Sequence, residues 1–118
     1  MVTVIDEDRE KARQLAKKEV ALFLPVVAEN DKTLQVDEEL LNRIEAAAAE
    51  YDFERGAKDI SDELLSRFAI VGTPADIIKQ TQALLDAGAS RIEYGTPHGI
   101  DELKGMKMLG ENVLPAFA

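Results

Sequence analysis

The feature that most constrains the fold is a strand–helix–strand pattern in the C-terminal half of the chain. Phe68–Val71 is a short apolar run, and Gly72–Pro74 after it supplies an N-cap threonine and a proline suited to a first helical turn. Gly88 is typical of a left-handed helix stop, and Arg91–Tyr94 then predicts a second strand. So tight a turn between helix and strand implies parallel pairing and a right-handed crossover.

The rest of the chain offers one further strand. Val2–Ile5 is a β-branched run ahead of a long helical region. A parallel sheet needs several neighbouring strands and cover on both faces, and 118 residues are too few for a closed β/α barrel of roughly 200 residues or more. We therefore predict a helix-rich α/β fold with two or three short parallel strands, a single domain over residues 1–118 that forms one piece of a larger sheet.

Helical periodicity places the remaining elements. Pro25 is expected to end or kink the first helix, Gly56 to break the helical pattern, and Pro115 to end the last helix. The predicted helices are Glu10–Leu24, a second from about Asp37 to Tyr51, a short capped one at Ser61–Leu64, one after Pro74 with Ile77, Ile78, Thr81, Leu84 and Leu85 on its inner face, and a last one capped by Asp101 and carrying Leu103, Met106, Leu109 and Val113.

Charge and composition exclude several classes of function. The net charge is −9, from 23 acidic and 14 basic residues, and such a surface repels phosphate backbones and anionic membranes. We therefore expect neither a nucleic-acid partner nor a membrane partner. The absence of cysteine and the single histidine argue against a metal site. The N-terminus lacks the pattern of a signal peptide, so a cytoplasmic location is the default expectation.

One loop stands out as a candidate ligand site. Gly95, Thr96, Pro97, His98 and Gly99 follow the second predicted strand of the C-terminal half and contain the only histidine. Glycines at both ends of the loop would let a ligand approach the backbone, and ligands of α/β folds sit beyond the carboxyl ends of strands. The alternatives are a structural turn for the loop and a surface or hydrogen-bonding role for its histidine.

Other polar patterns have simpler interpretations. Gly72–Pro74 has the same Gly-Thr-Pro sequence as Gly95–Pro97 and is interpreted as a plain helix cap. The acidic clusters at residues 6–8, 37–39 and 62–63 each lie at a predicted helix N-terminus, where acids complement the helix dipole. None of these clusters is taken as a catalytic pair.

The C-terminal half also resembles a known family. Phe68–Asp76 followed by Leu84–Ala89 resembles the closing segment of the luciferase-like family of flavin and deazaflavin oxidoreductases. Tyr94–Gly99 is most similar to the branch of methylenetetrahydromethanopterin reductases, and Leu109–Phe117 is similar to the family's last helix and C-terminal end. The specific resemblance covers about residues 66–118, and Val2–Leu24 is compatible with the family's seventh strand and following helix.

The resemblance implies the C-terminal portion of a TIM-type (β/α)8 barrel, of which this chain is the last quarter or third. It implies hydride chemistry on bound coenzyme F420, with FMN as the alternative cofactor and no metal. Most cofactor contacts of the family come from earlier strands, so only Gly95, Thr96, Pro97, His98 and Gly99 would lie near the barrel mouth. The resemblance implies no particular catalytic residue, and the chain alone is expected to be inactive.

Three functional hypotheses follow. The first is the C-terminal part of an F420-dependent oxidoreductase, whose partner is the missing N-terminal part of the barrel. The second is a self-standing, non-catalytic, oligomeric binding or assembly module with the same fold segment. The third is part of an FMN-dependent luciferase-like monooxygenase. Because the predicted sheet leaves apolar faces uncovered, we expect self-association of the isolated chain.

Overall fold

The computed structural model describes residues 1–118 and contains three strands and six α-helices. The last helix continues into a π-helical turn at Leu109–Val113 and a 3-10 turn at Leu114–Phe117. In chain order the elements are β1 (Val2–Ile5), α1 (Arg9–Asn30), α2 (Glu38–Ala49), α3 (Phe53–Lys58), α4 (Asp62–Ser66), β2 (Ala69–Gly72), α5 (Pro74–Asp86), β3 (Gly95–Gly99) and α6 (Glu102–Met108).

The chain divides into two compact units. One boundary falls within α1 and the other lies just before β2. One unit comprises Met1–Ala16 together with Phe68–Ala118, and the other comprises Lys17–Arg67. The first unit holds all three strands. The single-domain prediction concerns whether the chain folds as one cooperative body, and it stays a prediction.

The strands form one parallel sheet in the order β2-β1-β3, which confirms the prediction of a helix-rich α/β fold with two or three short parallel strands. β1 and β2 pair in continuous register from Val2 with Ala69 to Ile5 with Gly72. β1 and β3 pair less regularly, since the register shifts between Val2 and Val4.

The last strand lies later in the sequence than predicted. Arg91–Tyr94 forms no strand, and β3 begins at Gly95. The Gly95 N–H donates to the carbonyl oxygen of Met1 at 2.8 Å, and a Cβ at position 95 would lie 2.7 Å from that oxygen. Only glycine lets the two backbones approach so closely, and this contact fixes where pairing starts.

The predicted direct pairing across the strand–helix–strand unit is also wrong, because β1 lies between β2 and β3. The edge of β2 that faces away from β1 is instead covered by a side chain of α5. The Gln80 carboxamide accepts from the Val71 N–H at 3.1 Å and donates to the Val71 carbonyl at 2.8 Å. These are the backbone groups that a neighbouring strand would otherwise bind.

Neither Pro25 nor Gly56 ends a helix. α1 continues past Pro25 to Asn30, because a proline removes only one hydrogen bond of the ladder and later bonds, such as Asp31 N–H to the Val27 carbonyl, resume it. Gly56 lies inside α3 and is buried. A Cβ at this position would lie 3.3 Å from the Cβ of Ala21, so the two helices approach closely there. This glycine serves close helix packing within the second unit.

The first unit has its own apolar core. Ile5, Ile70, Ile77, Leu109 and Val113 are buried together, which ties β1, β2, α5 and the C-terminal π-helical turn. Of the inner face predicted for α5, Ile77 and Thr81 are buried. Ile78 and Leu84 are partly buried against this core, and Leu85 is also partly buried. Burial of such side chains is the main stabilising contribution to the unit.

The second unit is a small helical assembly. Its buried apolar side chains come from the later part of α1, from α2, and from the short helices α3 and α4 with the link between them, and they are Val20, Ala21, Leu24, Ile44, Ala47, Ala57, Ile60 and Leu65. The predicted capped helix is confirmed, because the Leu64 N–H donates to the Ser61 hydroxyl at 3.1 Å.

Candidate functional site

The carboxyl ends of the three strands meet at one edge of the sheet. Ile5 of β1 is the register partner of Gly72 in β2 and of Gly99 in β3, so all three strands stop together. In α/β folds this edge is where ligands bind. This edge is therefore the candidate functional site of the first unit.

At the carboxyl end of β2, the contacts of this edge centre on the carboxylate of Asp76. Asp76 accepts a bidentate pair from Arg9, at 2.7 Å from Nε and 3.0 Å from Nη2. It also accepts from the backbone N–H of Thr73 at 2.9 Å and from the Thr73 hydroxyl at 2.8 Å. Thr73 returns the contact by accepting from the Asp76 N–H, which completes the capping box.

These contacts lower the pKa of Asp76 to about 2, chiefly through the hydrogen bond from Arg9 and against the opposing effect of burial. The Thr73 and Asp76 N–H groups at the start of α5 are thus bound by the chain itself. This confirms the plain helix-cap interpretation of Gly72–Pro74. Gly72 is required there, because its φ is +131° and a Cβ would lie 2.5 Å from an Asp76 oxygen.

We expect Asp76→Asn to lower the free energy of unfolding at neutral pH by about 1 to 2 kcal/mol, a figure reduced for solvent screening because Arg9 is half exposed. A carboxyl with a lowered pKa stabilises the fold above its unfolded pKa, and that contribution disappears as the pH falls towards about 2. The difference between variant and wild type should therefore shrink between about pH 4 and pH 2.

The measurement is urea unfolding at several pH values, with Asp86→Asn as the matched control. Asp86 lies at the other end of α5 and accepts one exposed hydrogen bond from Gln82. Its replacement should change stability by less than about 0.5 kcal/mol. If Asp76→Asn ran parallel to wild type over the whole pH range, the ion pair would contribute nothing.

The residues predicted as a ligand-facing loop form β3 instead. In the strand Thr96 is exposed, Gly95, Pro97 and His98 are partly buried, and Gly99 is buried. The glycines are packed against the chain's own backbone: a Cβ at Gly99 would meet Asp101 and Gly105 backbone atoms at 2.8 to 3.2 Å. The sequence pattern predicts a loop here because it reports only local preferences. The pairing of these residues with β1 depends on contacts remote in sequence. A ligand-facing role for Gly95–Gly99 stays a prediction.

His98 is held by its neighbours at the carboxyl edge. Its backbone is left-handed, with φ at +69°, and its side chain is 18% exposed. Nε2 donates to the carbonyl oxygen of Tyr94 at 3.0 Å. Nδ1 is buried without a hydrogen-bond partner, 3.8 Å from an oxygen of Glu102. His98 thus connects the Tyr94 segment, β3 and the first turn of α6.

The segment before β3 is fixed from its other side as well. The Tyr94 hydroxyl and the Thr81 hydroxyl are 2.8 Å apart and hydrogen-bonded, and the Tyr94 ring packs against the core of the first unit. Sequence periodicity places Thr81 on the inner face of α5 but gives no sign of this bond. Arg9 and Gln80 were likewise missed as organising residues, because each acts on a partner that only the tertiary fold brings near.

A cleft of the first unit lies at the other end of the strands, where β1 and β3 begin. Its volume is about 440 Å³, and Met1, Arg91, Ile92 and Glu93 line it ahead of β1 and β3, together with Leu84 and Ala89. A deazaflavin bound beyond the carboxyl ends of the strands would not occupy this cleft.

Two further features of the structure bear on function. No three His, Cys, Asp or Glu side chains converge in a geometry that could hold a metal ion. None of the helices combines the length and apolar character needed to span a bilayer.

Comparison with known proteins identifies the family. The family model described as luciferase-like monooxygenase matches residues 1–91, which is more than half of the chain. The chain belongs to the luciferase-like monooxygenase family. The match includes Val2–Leu24, so the luciferase-like relationship extends well beyond residues 66–118, where the sequence resemblance was specific.

Relatives named 5,10-methylenetetrahydromethanopterin reductase match almost the whole chain. The Archaeoglobus fulgidus protein is 32% identical over 119 residues, covering 94% of this chain and 35% of the relative. The Methanopyrus kandleri protein is 29% identical over 116 residues, covering 96% and 33%. The Methanolobus tindarius protein is 32% identical over 116 residues, covering 93% and 34%.

A solved structure supports the same relationship. The coenzyme F420-dependent tetrahydromethanopterin reductase from Methanopyrus kandleri superposes with a TM-score of 0.83 at 28% identity, over 100% of this chain and 34% of that chain. The prediction that this luciferase-like chain folds as a portion of a TIM-type barrel is confirmed. The chain spans about one third of the length of the relatives it matches.

Proposed function

We propose that this chain forms the C-terminal part of a coenzyme F420-dependent oxidoreductase that transfers a hydride between the reduced deazaflavin and a one-carbon group on a pterin carrier. The observation that supports this most directly is similarity to reductases of that kind over more than nine tenths of the chain. A structure of a coenzyme F420-dependent reductase also covers the whole chain.

In this proposal the chain supplies a rigid sector of the barrel rather than a complete pocket. The hydrogen bonds of Asp76 with Arg9 and Thr73 fix the start of α5 at the carboxyl edge, and the Tyr94 and His98 contacts fix β3 beside it. Thr96 is exposed but lies near the amino end of β3, so we propose that His98, near the carboxyl end, is the side chain that faces cofactor or substrate. The rest of the pocket comes from strands outside this chain, in keeping with a protein that mainly positions its cofactor.

The test combines this chain with the portion of the Archaeoglobus fulgidus relative that lies outside the match. Both pieces are purified, mixed and passed over a sizing column, and retention of coenzyme F420 or FMN is measured by equilibrium dialysis. We expect the two pieces to elute together and to retain F420 in preference to FMN, and we expect neither piece alone to retain it. Binding requires both because each holds only part of the barrel.

Other outcomes separate the alternatives. Preferential retention of FMN would favour the flavin-dependent monooxygenase hypothesis. Failure of the pieces to elute together, with this chain forming a stable oligomer of its own, would favour the self-standing module. Within a working mixture, His98→Gln should weaken F420 retention by about twofold to tenfold, the effect of one lost hydrogen bond. Thr96→Ala, near the amino end of the same strand, is the control.

A further inference from the structure

The outer edge of β2 has an arrangement that none of the functional proposals uses. β2 binds β1 through alternate residues, as in the bonds from Val2 N–H to the Phe68 carbonyl and from Asp6 N–H to the Gly72 carbonyl. The N–H and C=O of Val71 therefore point away from β1. β2 is an edge strand of the sheet, and an open edge is a template for pairing with another chain.

A single carboxamide satisfies both of these outward groups. Gln80 Oε1 accepts from the Val71 N–H at 3.1 Å, and Gln80 Nε2 donates to the Val71 carbonyl at 2.8 Å. The second hydrogen of Nε2 is bound by the Asp76 carbonyl of the preceding helical turn at 3.0 Å. Three hydrogen bonds thus hold the half-buried amide against the strand, in the place of a neighbouring peptide group.

The other outer strand of the sheet, β3, is interrupted by a proline. β3 contains Pro97, which has no N–H to offer to an incoming strand. β2 has no such residue, because Ala69–Gly72 contains no proline and no charged side chain. Without Gln80, β2 would present an uncharged, β-branched edge that every copy of the chain shares.

We propose that Gln80 is an edge plug, whose carboxamide prevents the outer edge of β2 from pairing with the same edge of a second copy of this chain. The plug is specific to this edge and independent of any cofactor. It leaves the apolar faces of the molecule unchanged, so it governs only association through the β2 backbone.

The test compares Gln80→Leu with Gln82→Leu. Gln82 lies on the same helix and is exposed, and its Nε2 donates to the Asp86 carboxylate at 2.8 Å. Amide hydrogen exchange is followed by NMR, and solution mass by light scattering, at equal concentrations. In Gln80→Leu we expect exchange at Val71 to accelerate by about tenfold or more, and the average mass to rise with concentration above that of Gln82→Leu.

Either readout alone can overturn the proposal. If the Val71 amide of Gln80→Leu exchanged as slowly as in Gln82→Leu, the carboxamide would not be protecting the edge. If exchange accelerated and the mass stayed equal, the edge would not be a pairing site for a second copy. Should Gln80→Leu fail to fold, Gln80→Glu replaces it, since a carboxylate keeps an acceptor for the Val71 N–H and loses the donor to the Val71 carbonyl.

Discussion

Gly105→Ala is expected to destabilise the chain by about 3 kcal/mol, at the upper end of the usual range for overpacking. A Cβ at position 105 would lie 2.6 Å from the carbonyl oxygen of His98 and 2.7 Å from the Gly99 nitrogen. Both are backbone atoms of β3 and cannot be moved by a change of side-chain rotamer. α6 must therefore retreat from the strand, or β3 must loosen from β1.

The control for this prediction is another helical glycine in the same segment. Gly110 has no atom within 4 Å of the position of an added Cβ. Gly110→Ala should thus change stability by less than about 1 kcal/mol, and towards greater stability, since alanine restricts the unfolded chain. Urea unfolding of both variants measures the difference. Equal losses at the two positions would show that close packing of α6 on β3 contributes little.

Ile77→Ala is the second substitution with a large expected effect, about 2 to 5 kcal/mol. Ile77 has no exposed surface, and it packs in the core formed by Ile5, Ile70, Leu109 and Val113. That core joins β1, β2, α5 and the C-terminal turns, so a cavity there weakens several elements at once. The carboxyl edge depends on the same elements for its geometry.

Ile100→Ala is the matched control, because Ile100 follows β3 and is 48% exposed. Its replacement should cost less than about 1 kcal/mol, in proportion to the small apolar area it buries. Chemical unfolding monitored by circular dichroism gives both values. A loss at Ile77 no larger than that at Ile100 would mean that the first unit is not held together by this core.

The features that sequence predicted well are local ones. The helix caps at Thr73 and Ser61 depend on residues three apart, so the pattern specifies them without the rest of the fold. The strand at Val2–Ile5 follows from its β-branched composition. The family resemblance adds what local patterns lack, namely the larger barrel to which these elements belong.

The features that sequence missed depend on long-range contacts. β3 starts at Gly95 because Gly95 meets Met1, which lies far away in the chain. Gly56 is helical because it packs on Ala21, and Gln80 covers β2 because the strand order leaves that edge open. None of these partners can be found by periodicity, since periodicity reports only which face of an element is apolar.

These long-range contacts also change how the candidate site is interpreted. Gly95 and Gly99 were singled out for the room that glycine gives a ligand, and the structure shows that the chain's own backbone fills that room. Thr96 remains as the exposed side chain of the set. Because Thr96 lies near the amino end of β3, the proposed ligand role of the segment depends on His98 near the carboxyl end and on the strands that complete the barrel.

The most direct test of the proposed function is hydride transfer by the mixture of this chain with the complementary portion of the Archaeoglobus fulgidus reductase. The quantity measured is the rate at which reduced coenzyme F420 is oxidised when methylenetetrahydromethanopterin is added. We predict oxidation that requires both pieces and the pterin. A mixture that elutes as one complex and retains the coenzyme, but oxidises none of it, would contradict the proposal.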